Sequence, residues 1–281
     1  AQLLRSSVIR NYYRDIRKLR RRLTFAGVEE AVLNVEKKLY NSIFKLEEAP
    51  DISTSLDDDI IQLYTSGTTG HPKGVQLTNQ NFSSANDTIA GIVPFEEGTP
   101  NLVCMPGYHV AGTNWGIWGL VNGCKNIIIA DIDPVLILEL IEKEKIRSSL
   151  FVPAVILFLV SIPQAAETDF SSLKFVLYGA SPIADDTILK AKEIMKCDLF
   201  QVYGLTETAG AITILMPEDH DPEKGKLRSC GKALNSVEIK VVDDEGNEVK
   251  TGDIGEVISK SPLNMKGCLL YTSDAADDRI C

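Results

Sequence analysis

The chain has 281 residues, of which 44% are hydrophobic and 24% are charged, and its formal net charge is -10. This composition is typical of a globular protein with room for a large core. An acidic balance disfavours nonspecific binding to nucleic acid or anionic membrane and favours a protein that handles small molecules. The longest apolar run, residues 150–162, is shorter than the roughly 20 residues of a membrane span, so stable membrane insertion is not expected. The oligomeric state stays open.

Two local features have alternative interpretations. Residues 14–22 are strongly basic, which fits either a nucleic-acid patch or a solvated helix face; the spacing of Ile16 and Leu19, with no aromatic residue between the charges, favours the helix. The six cysteines show neither C-x-x-C pairs nor metal-ligand spacing with histidine. They predict reduced thiols in a reducing compartment, and therefore a cytoplasmic protein.

The first elements in chain order are predicted as helix, strand and helix over residues 11–23, 27–35 and 35–46. An apolar strand over residues 60–64 then leads directly into a loop rich in glycine and threonine. The following helix is predicted over residues 78–91, with Thr78 as its N-cap.

Beyond that helix, short apolar strands alternate with helices. The strands are predicted at residues 102–105, 126–130, 149–152, 174–178 and 199–203, and the helices at residues 134–145 and 184–195. This alternation predicts the α/β fold class, with a mostly parallel sheet and helices on both of its faces. Strands at residues 237–242 and 256–259 flank a turn, which is typical of an antiparallel hairpin. A polar segment at residues 218–226 predicts a boundary between the two regions.

The loop after residue 64 carries groups that suit a polyphosphate. Gly67 and Gly70 let backbone N–H groups turn toward an anion, and Lys73 supplies a cation. Hydroxyl donors come from Thr65, Ser66, Thr68 and Thr69. The spacing differs from that of a G-x-x-x-x-G-K-[ST] loop. A flexible turn that binds no ligand is the alternative interpretation. The number of consecutive residues that suit a phosphate disfavours it.

Together with further motifs, this loop resembles the signature of the AMP-forming acyl-CoA synthetase, luciferase and peptide-synthetase adenylation superfamily. The loop reads Tyr64-Thr-Ser-Gly-Thr-Thr-Gly-His-Pro-Lys-Gly-Val75. The companion motifs follow in the family's order: Met105-Pro-Gly-Tyr-His-Val-Ala-Gly112, Tyr178-Gly-Ala-Ser-Pro-Ile183, Gln201-Val-Tyr-Gly-Leu-Thr-Glu-Thr208 and a later segment over residues 255–267. The resemblance covers residues 56–267 well and the first 55 loosely.

The resemblance implies a role for each matching residue. Thr65, Ser66, Gly67, Thr68, Thr69, Gly70 and Lys73 would hold the β- and γ-phosphates of ATP. Gly179, Ala180 and Ser181 would form the adenine-side loop, and Tyr203, followed by Gly204, would stack on the base. Thr206 would bond the α-phosphate, Glu207 would be the Mg²⁺ ligand, and His109 would shape the acyl pocket or contact the carboxylate. Taken alone, Tyr203 would be read as a core tyrosine, Glu207 as a surface carboxylate and His109 as a structural histidine.

The implied reaction joins a carboxylic acid, expected to be a fatty acid, to AMP with release of pyrophosphate. The acyl group then passes to the thiol of coenzyme A, so ATP, Mg²⁺ and coenzyme A are the expected cofactors. A luciferase-like or carrier-protein-loading enzyme and an inactive nucleotide-binding fragment are the alternatives. Trp115 and Trp118 either line an acyl tunnel or pack their helix against the sheet.

The predicted domains are a loosely matching portion at residues 1–55, an α/β core at 56–225 and a partial antiparallel β-barrel subdomain at 226–267. Residues 268–281 resemble translated sequencing-adapter read-through and are expected to be non-native. The family's C-terminal lid domain, which supplies a catalytic lysine, has no counterpart in the sequence. The chain by itself is therefore expected to bind ATP weakly and not to turn over.

Overall fold

The computed structural model describes residues 53–66 and 72–270. The chain divides into units 1–55 and 56–281, and the described helices and strands belong to the second. The elements predicted within residues 1–50, and with them the basic segment 14–22, lie outside the described residues.

The described part contains twelve strands and five α-helices. The strands are β1 Asp59–Thr65, β2 Lys73–Thr78, β3 Pro100–Val103, β4 Lys125–Ile128, β5 Ser148–Phe151, β6 Phe175–Gly179, β7 Asp198–Leu205, β8 Gly210–Leu215, β9 Lys232–Ala233, β10 Glu238–Val242, β11 Glu256–Lys260 and β12 Gly267–Leu270. The helices are α1 Asn79–Ala90, α2 Val110–Val121, α3 Pro134–Lys143, α4 Pro153–Ser161 and α5 Asp185–Met195. Short 3₁₀ turns lie at Pro163–Ala166, Thr206–Thr208, Pro217–Asp219 and Pro222–Lys224.

The central sheet has seven strands in the order β4-β3-β5-β6-β7-β8-β9. The first five strands are mutually parallel, whereas β8 and β9 are antiparallel to their neighbours. The predicted α/β class with a mostly parallel sheet is therefore confirmed. From β3 the chain crosses to β4 on one side, and from β4 it returns past β3 to β5 on the other side. The direction in which strands are added to the sheet therefore reverses between β3 and β5.

Helices cover both faces of this sheet, as predicted. Crossover connections between parallel strands are right-handed, so connections that step in opposite directions lie on opposite faces. The β3–β4 connection contains α2, whereas the later connections contain α3, α4 and α5. These two groups therefore form separate layers, and the core between them is built from fully buried side chains such as Trp115, Phe151 and Phe175.

Helix boundaries follow local sequence signals. Thr78 caps α1 as predicted: its hydroxyl accepts the Asn81 N–H, and the Asn81 side chain accepts the Thr78 N–H. The Asp133 carboxylate caps α3 by accepting the N–H groups of Val135 and Leu136, directly before Pro134 at the first helical position. These bonds satisfy backbone N–H groups that have no partner within the helix.

The predicted strand–loop–helix unit at residues 60–91 was incomplete, because residues 73–78 form a further strand. This strand, β2, pairs with β1 as an antiparallel hairpin and with β12 on its other side. The three strands make a sheet separate from the central one. In β2 five of six residues are buried, so its sequence lacks the alternation that marks a half-exposed strand.

The predicted hairpin after residue 236 is confirmed, since β10 and β11 pair antiparallel from Glu238↔Lys260 to Val242↔Glu256. Strand β12 continues through Cys268 to Leu270, three residues into the segment expected to be non-native, because it pairs with β2. Residues 271–281 lie outside the described residues. Of the helices that are described, none combines the length and apolar character needed to cross a membrane.

Candidate functional site

Three of the predicted site segments follow parallel strands of the central sheet. The segment with His109 comes after β3, Gly179–Ser181 follows the end of β6, and Tyr203–Glu207 lies at the end of β7. The carboxyl ends of parallel strands share one edge, and ligands of open α/β sheets bind at this edge where the strand order reverses. The reversal between β3 and β5 thus lies beside the His109 segment.

Tight backbone packing marks the ends of β6 and β7. A Cβ atom at Gly179 would overlap the Val202 carbonyl oxygen, so no side chain fits there. Ala180 has φ +72°, a left-handed conformation that is strained for alanine and is found at ligand-contacting turns. Tyr203 is 37% exposed and sits beside a register shift in the β7–β8 pairing. Such irregularities redirect a side chain near a binding site.

Thr206 and Glu207, both half-buried, lie in the 3₁₀ turn that joins β7 to β8. The Thr208 hydroxyl accepts the Leu205 N–H at 3.0 Å and lies 2.7 Å from the Gly210 carbonyl oxygen, to which it donates. From outside the turn, the Met265 N–H donates to the Glu207 carbonyl oxygen at 2.7 Å. The main chain that carries Thr206 and Glu207 is therefore fixed from two sides.

The predicted phosphate loop is the tip of the β1–β2 hairpin. Thr65 and Lys73 are directly opposite each other in the pairing. Lys73 is buried, and the buried Thr65 hydroxyl has no hydrogen-bond partner among the described residues, as expected of a donor that awaits a ligand oxygen. Ser66 is exposed. The tip itself, with Gly67, Thr68, Thr69 and Gly70, lies outside the described residues.

An apolar cluster holds this hairpin against the Thr206–Thr208 turn. Its buried members are Leu63, Val75, Leu77, Phe82 and Ala209, and Met265 packs against them. Ala209 directly follows the turn, and Val75 lies two residues after Lys73. Burial of such side chains is worth about 1.5–3 kcal/mol each, which is enough to keep the two segments together. The structure thus brings the hairpin base and the Glu207 turn side by side.

His109 is exposed and stands at the N-cap of α2 without capping through its side chain. Along the same helix, Trp115 is buried in the central core, and its indole N–H donates to the Leu102 carbonyl oxygen at 3.0 Å. Trp118 is buried in the same core. These contacts support the helix-packing interpretation of the two tryptophans over the acyl-tunnel one.

Glu207 is the predicted Mg²⁺ ligand. Among the described residues, no group of three or more His, Cys, Asp or Glu side chains is placed to hold an ion. Mg²⁺ is commonly held by one or two carboxylates together with phosphate oxygens, and Glu207 offers one such carboxylate. The five cysteines in the described part of the chain form no disulfide with one another.

Several supporting residues carried no signal in the sequence. The Asn114 amide on α2 donates to the Ala209 carbonyl oxygen at 2.6 Å, and the Asn81 amide donates to the carbonyls of Pro262 and Asn264. His220, in the segment predicted as a boundary, is fully buried with its Nε2 2.9 Å from the Tyr178 hydroxyl. Desolvation lowers the pKa of His220 and raises that of Tyr178, so the pair is neutral.

Comparison with known proteins gives one family. A family model described as "AMP-binding enzyme" matches residues 13–269. The chain is 32% identical over 213 residues to the fatty acid–[acyl-carrier-protein] ligase ScoC of Streptomyces coeruleorubidus, covering 74% of the chain and 41% of that protein. It is also 32% identical over 243 residues to the medium/long-chain-fatty-acid–CoA ligase FadD8 of Mycobacterium tuberculosis, covering 86% and 42%.

Solved structures of similar fold come from related enzymes. The N-terminal domain of FACL13 from Mycobacterium tuberculosis superposes with a TM-score of 0.74 at 29% identity, covering 83% of this chain and 57% of that one. The fatty acyl CoA synthetase of the same organism gives a TM-score of 0.73 at 28% identity, covering 82% and 45%. The chain spans less than half the length of the curated relatives it matches.

Proposed function

The chain belongs to the AMP-binding enzyme family, and from that premise we propose that it is the nucleotide-binding core of an AMP-forming acid–thiol ligase. Its substrates are ATP, carried with Mg²⁺, and a carboxylic acid of the fatty-acid class. A carboxylate oxygen attacks the α-phosphorus, pyrophosphate leaves, and an acyl-adenylate forms. The thiol of coenzyme A then attacks the acyl carbon, and AMP leaves.

One observation carries the proposal: the hairpin base with Thr65 and Lys73 packs against the turn with Thr206 and Glu207. These segments are more than 130 positions apart in the printed sequence, and together they offer a cation, hydroxyl donors and a carboxylate to a polyphosphate. Phosphoryl transfer asks the protein mainly to position the reactants and to neutralise charge, which is what these groups supply.

Within this proposal, each remaining site residue has a role. Gly179, Ala180 and Ser181 form the adenine-side wall, where the lack of a side chain at Gly179 and the short ones beside it allow close approach. Tyr203 stacks on the base, with Gly204 leaving room beside it. His109 faces the acid from the start of α2. Residues 67–70, which the resemblance assigns to the β- and γ-phosphates, complete the proposed nucleotide site. The protein is proposed to act in the cytoplasm.

A second candidate acceptor has support from one relative. ScoC is named a fatty acid–[acyl-carrier-protein] ligase and shares 32% identity with this chain. The same adenylate would then pass to a carrier-protein thiol in place of coenzyme A. Supplying the full-length gene product with either acceptor, and measuring thioester formation, separates the two.

Pyrophosphate exchange on the full-length gene product with a panel of carboxylic acids tests the proposal. Lys73→Met is expected to lower the exchange rate about 10²-fold, because it removes a preorganised charge from the phosphate region. Lys190→Met, which changes an exposed lysine of α5, is the matched control and should leave the rate unchanged. Because Lys73 is buried, thermal melting must show that the Lys73→Met variant folds. Glu207→Gln is the second site variant, and Glu142→Gln, at an exposed position, is its control. An exchange rate unaffected by both site variants would contradict the proposal.

A further inference from the structure

Helix α2 reaches the Glu207 turn through Asn114. The Asn114 Nδ2 donates to the Ala209 carbonyl oxygen at 2.6 Å, and the two residues are 95 positions apart in sequence. Asn114 is only 1% exposed. The backbone beyond Ala209 is shaped around this side chain: Gly210 has φ +106°, and a Cβ atom placed on it would lie 2.7 Å from Nδ2. The amide therefore rests directly against the main chain that ends the turn.

Stability alone does not account for this asparagine. Its Oδ1 is buried and has no hydrogen-bond partner among the described residues. A buried polar atom without a partner is destabilising, and an apolar side chain of similar size would avoid that cost. The same replacement would take the donor away from the Ala209 carbonyl, which is a cost of the same order, so Asn114 contributes little net stability. Its contribution is the directional bond that fixes the turn relative to α2.

The N-terminus of α2 carries His109. Asn114 is five residues further along, about 7.5 Å at 1.5 Å per residue. The helix is anchored to the central sheet, because Trp115 donates to the Leu102 carbonyl and the Asn126 amide donates to the Gly116 carbonyl at 2.7 Å. Since the Trp115 bond holds α2 at the residue next to Asn114, the Asn114 amide reaches the Ala209 carbonyl from a fixed position.

We infer that Asn114 is a positioning residue that couples the turn with Thr206 and Glu207 to helix α2, which follows His109. This inference rests on the proposed function. The bond to Ala209 sets the position of the turn relative to α2, and so places Thr206 and Glu207 for the α-phosphate and Mg²⁺. Mg·ATP bound at the turn therefore changes the environment of α2 through the same bond.

The chain contains an internal probe of this coupling. Its two tryptophans, Trp115 and Trp118, both lie on α2, so tryptophan emission reports on this helix alone. Titration of the 281-residue chain with Mg·ATP is expected to change the emission of the wild type. The change should be absent in Asn114→Ala and in Asn114→Leu, which keeps the branching of the side chain but has no donor for the Ala209 carbonyl.

Asn126→Ala is the matched control. It also removes an asparagine amide that donates to a backbone carbonyl at 2.7 Å, but its target is Gly116 of α2 and not the turn. It should lose stability and retain the emission change. In the full-length gene product, Asn114→Ala should lower kcat for pyrophosphate exchange about 10- to 100-fold and raise the half-saturating Mg²⁺ concentration, with the KM for the acid nearly unchanged. Asn126→Ala should show neither effect.

The outcomes separate the two proposals. A wild-type chain that shows no binding of Mg·ATP by calorimetry at millimolar concentration would count against the proposed function, and the coupling would fall with it. A wild type that binds Mg·ATP, together with Asn114 variants that retain the emission change and the wild-type kcat, would overturn the coupling alone. If Asn114→Ala does not fold, Asn114→Leu decides, because it has the same number of side-chain heavy atoms as the wild type and leaves no cavity.

Discussion

Two glycines of helix α2 are expected to respond in opposite ways to the same substitution. A Cβ atom on Gly119 would overlap the Asn126 side-chain oxygen and lie 2.6 Å from Asn101 Nδ2. These two amides hydrogen-bond to each other at 2.9 Å, and Ser148 extends the pair. On Gly116, by contrast, the nearest atom outside the helix backbone is a methyl carbon of Val103 at 3.8 Å, an ordinary contact.

The magnitudes follow from these contacts. Gly119→Ala adds an overpacking cost of about 1–3 kcal/mol and disturbs a buried amide pair worth about 1–3 kcal/mol. Replacing glycine by alanine in a helix stabilises the helix by about 1 kcal/mol. The net expectation is a destabilisation of about 3 kcal/mol, or a melting temperature lower by about 6–12 °C. Gly116→Ala keeps the helix gain without the clash, so its melting temperature should rise by about 2–4 °C.

Urea and thermal unfolding of the wild type and the two variants, followed by circular dichroism, measure both changes. If the two variants shift the midpoint in the same direction, the packing of α2 against the Asn101–Asn126 pair has been misjudged. Asn126→Ala in the Gly119→Ala background provides the control, because removing the obstructing side chain should recover part of the lost stability.

Three further outcomes are expected. The free energy of unfolding should decrease as the pH falls below about 6.5, because the unfolded chain protonates His220 at its ordinary pKa while burial keeps the pKa of the folded state lower. Urea titrations at pH 7.5 and 5.5 measure this dependence. The variant His220→Gln should show a smaller difference between the two pH values. Removal of residues 271–281 should leave the melting temperature unchanged, whereas removal of residues 268–281 should lower it because it deletes most of β12. Equal melting temperatures for the two truncated chains would mean that β12 does not stabilise the sheet. Ala180→Gly should raise the free energy of unfolding by up to about 1 kcal/mol, because glycine adopts a positive φ without strain. Ala154→Gly in α4 should lower the free energy of unfolding by about 1 kcal/mol. If both variants are less stable than the wild type, Ala180 is not strained.

The truncation outcome also narrows the expectation for the chain terminus. From the sequence, the whole segment 268–281 was expected to be dispensable. Since Cys268–Leu270 pair with β2, that expectation now applies to residues 271–281 alone.

Local features of the fold followed from the sequence because their causes are local. Thr78 begins α1 through bonds to a residue three positions away, and the alternation after residue 236 forms β10, which pairs with β11 across the connection 243–255. The order of the motifs indicated the family, and the alternation of strands and helices predicted the parallel sheet. Each of these signals spans a few residues, over which capping, periodicity and turn chemistry act.

Only the tertiary structure decided how the site is assembled. Strand β2 became a strand because β1 and β12 pair with it on both sides, and its buried sequence shows no alternation. The turn with Glu207 is held by Asn114 and Met265, which come from distant parts of the chain. Such bonds depend on which segments meet in space, and an asparagine reads the same in a sequence whether its amide faces water or a carbonyl 95 residues away. The sequence therefore determined which chemistry the chain carries, and the packing of its separate sheets determined where that chemistry is brought together.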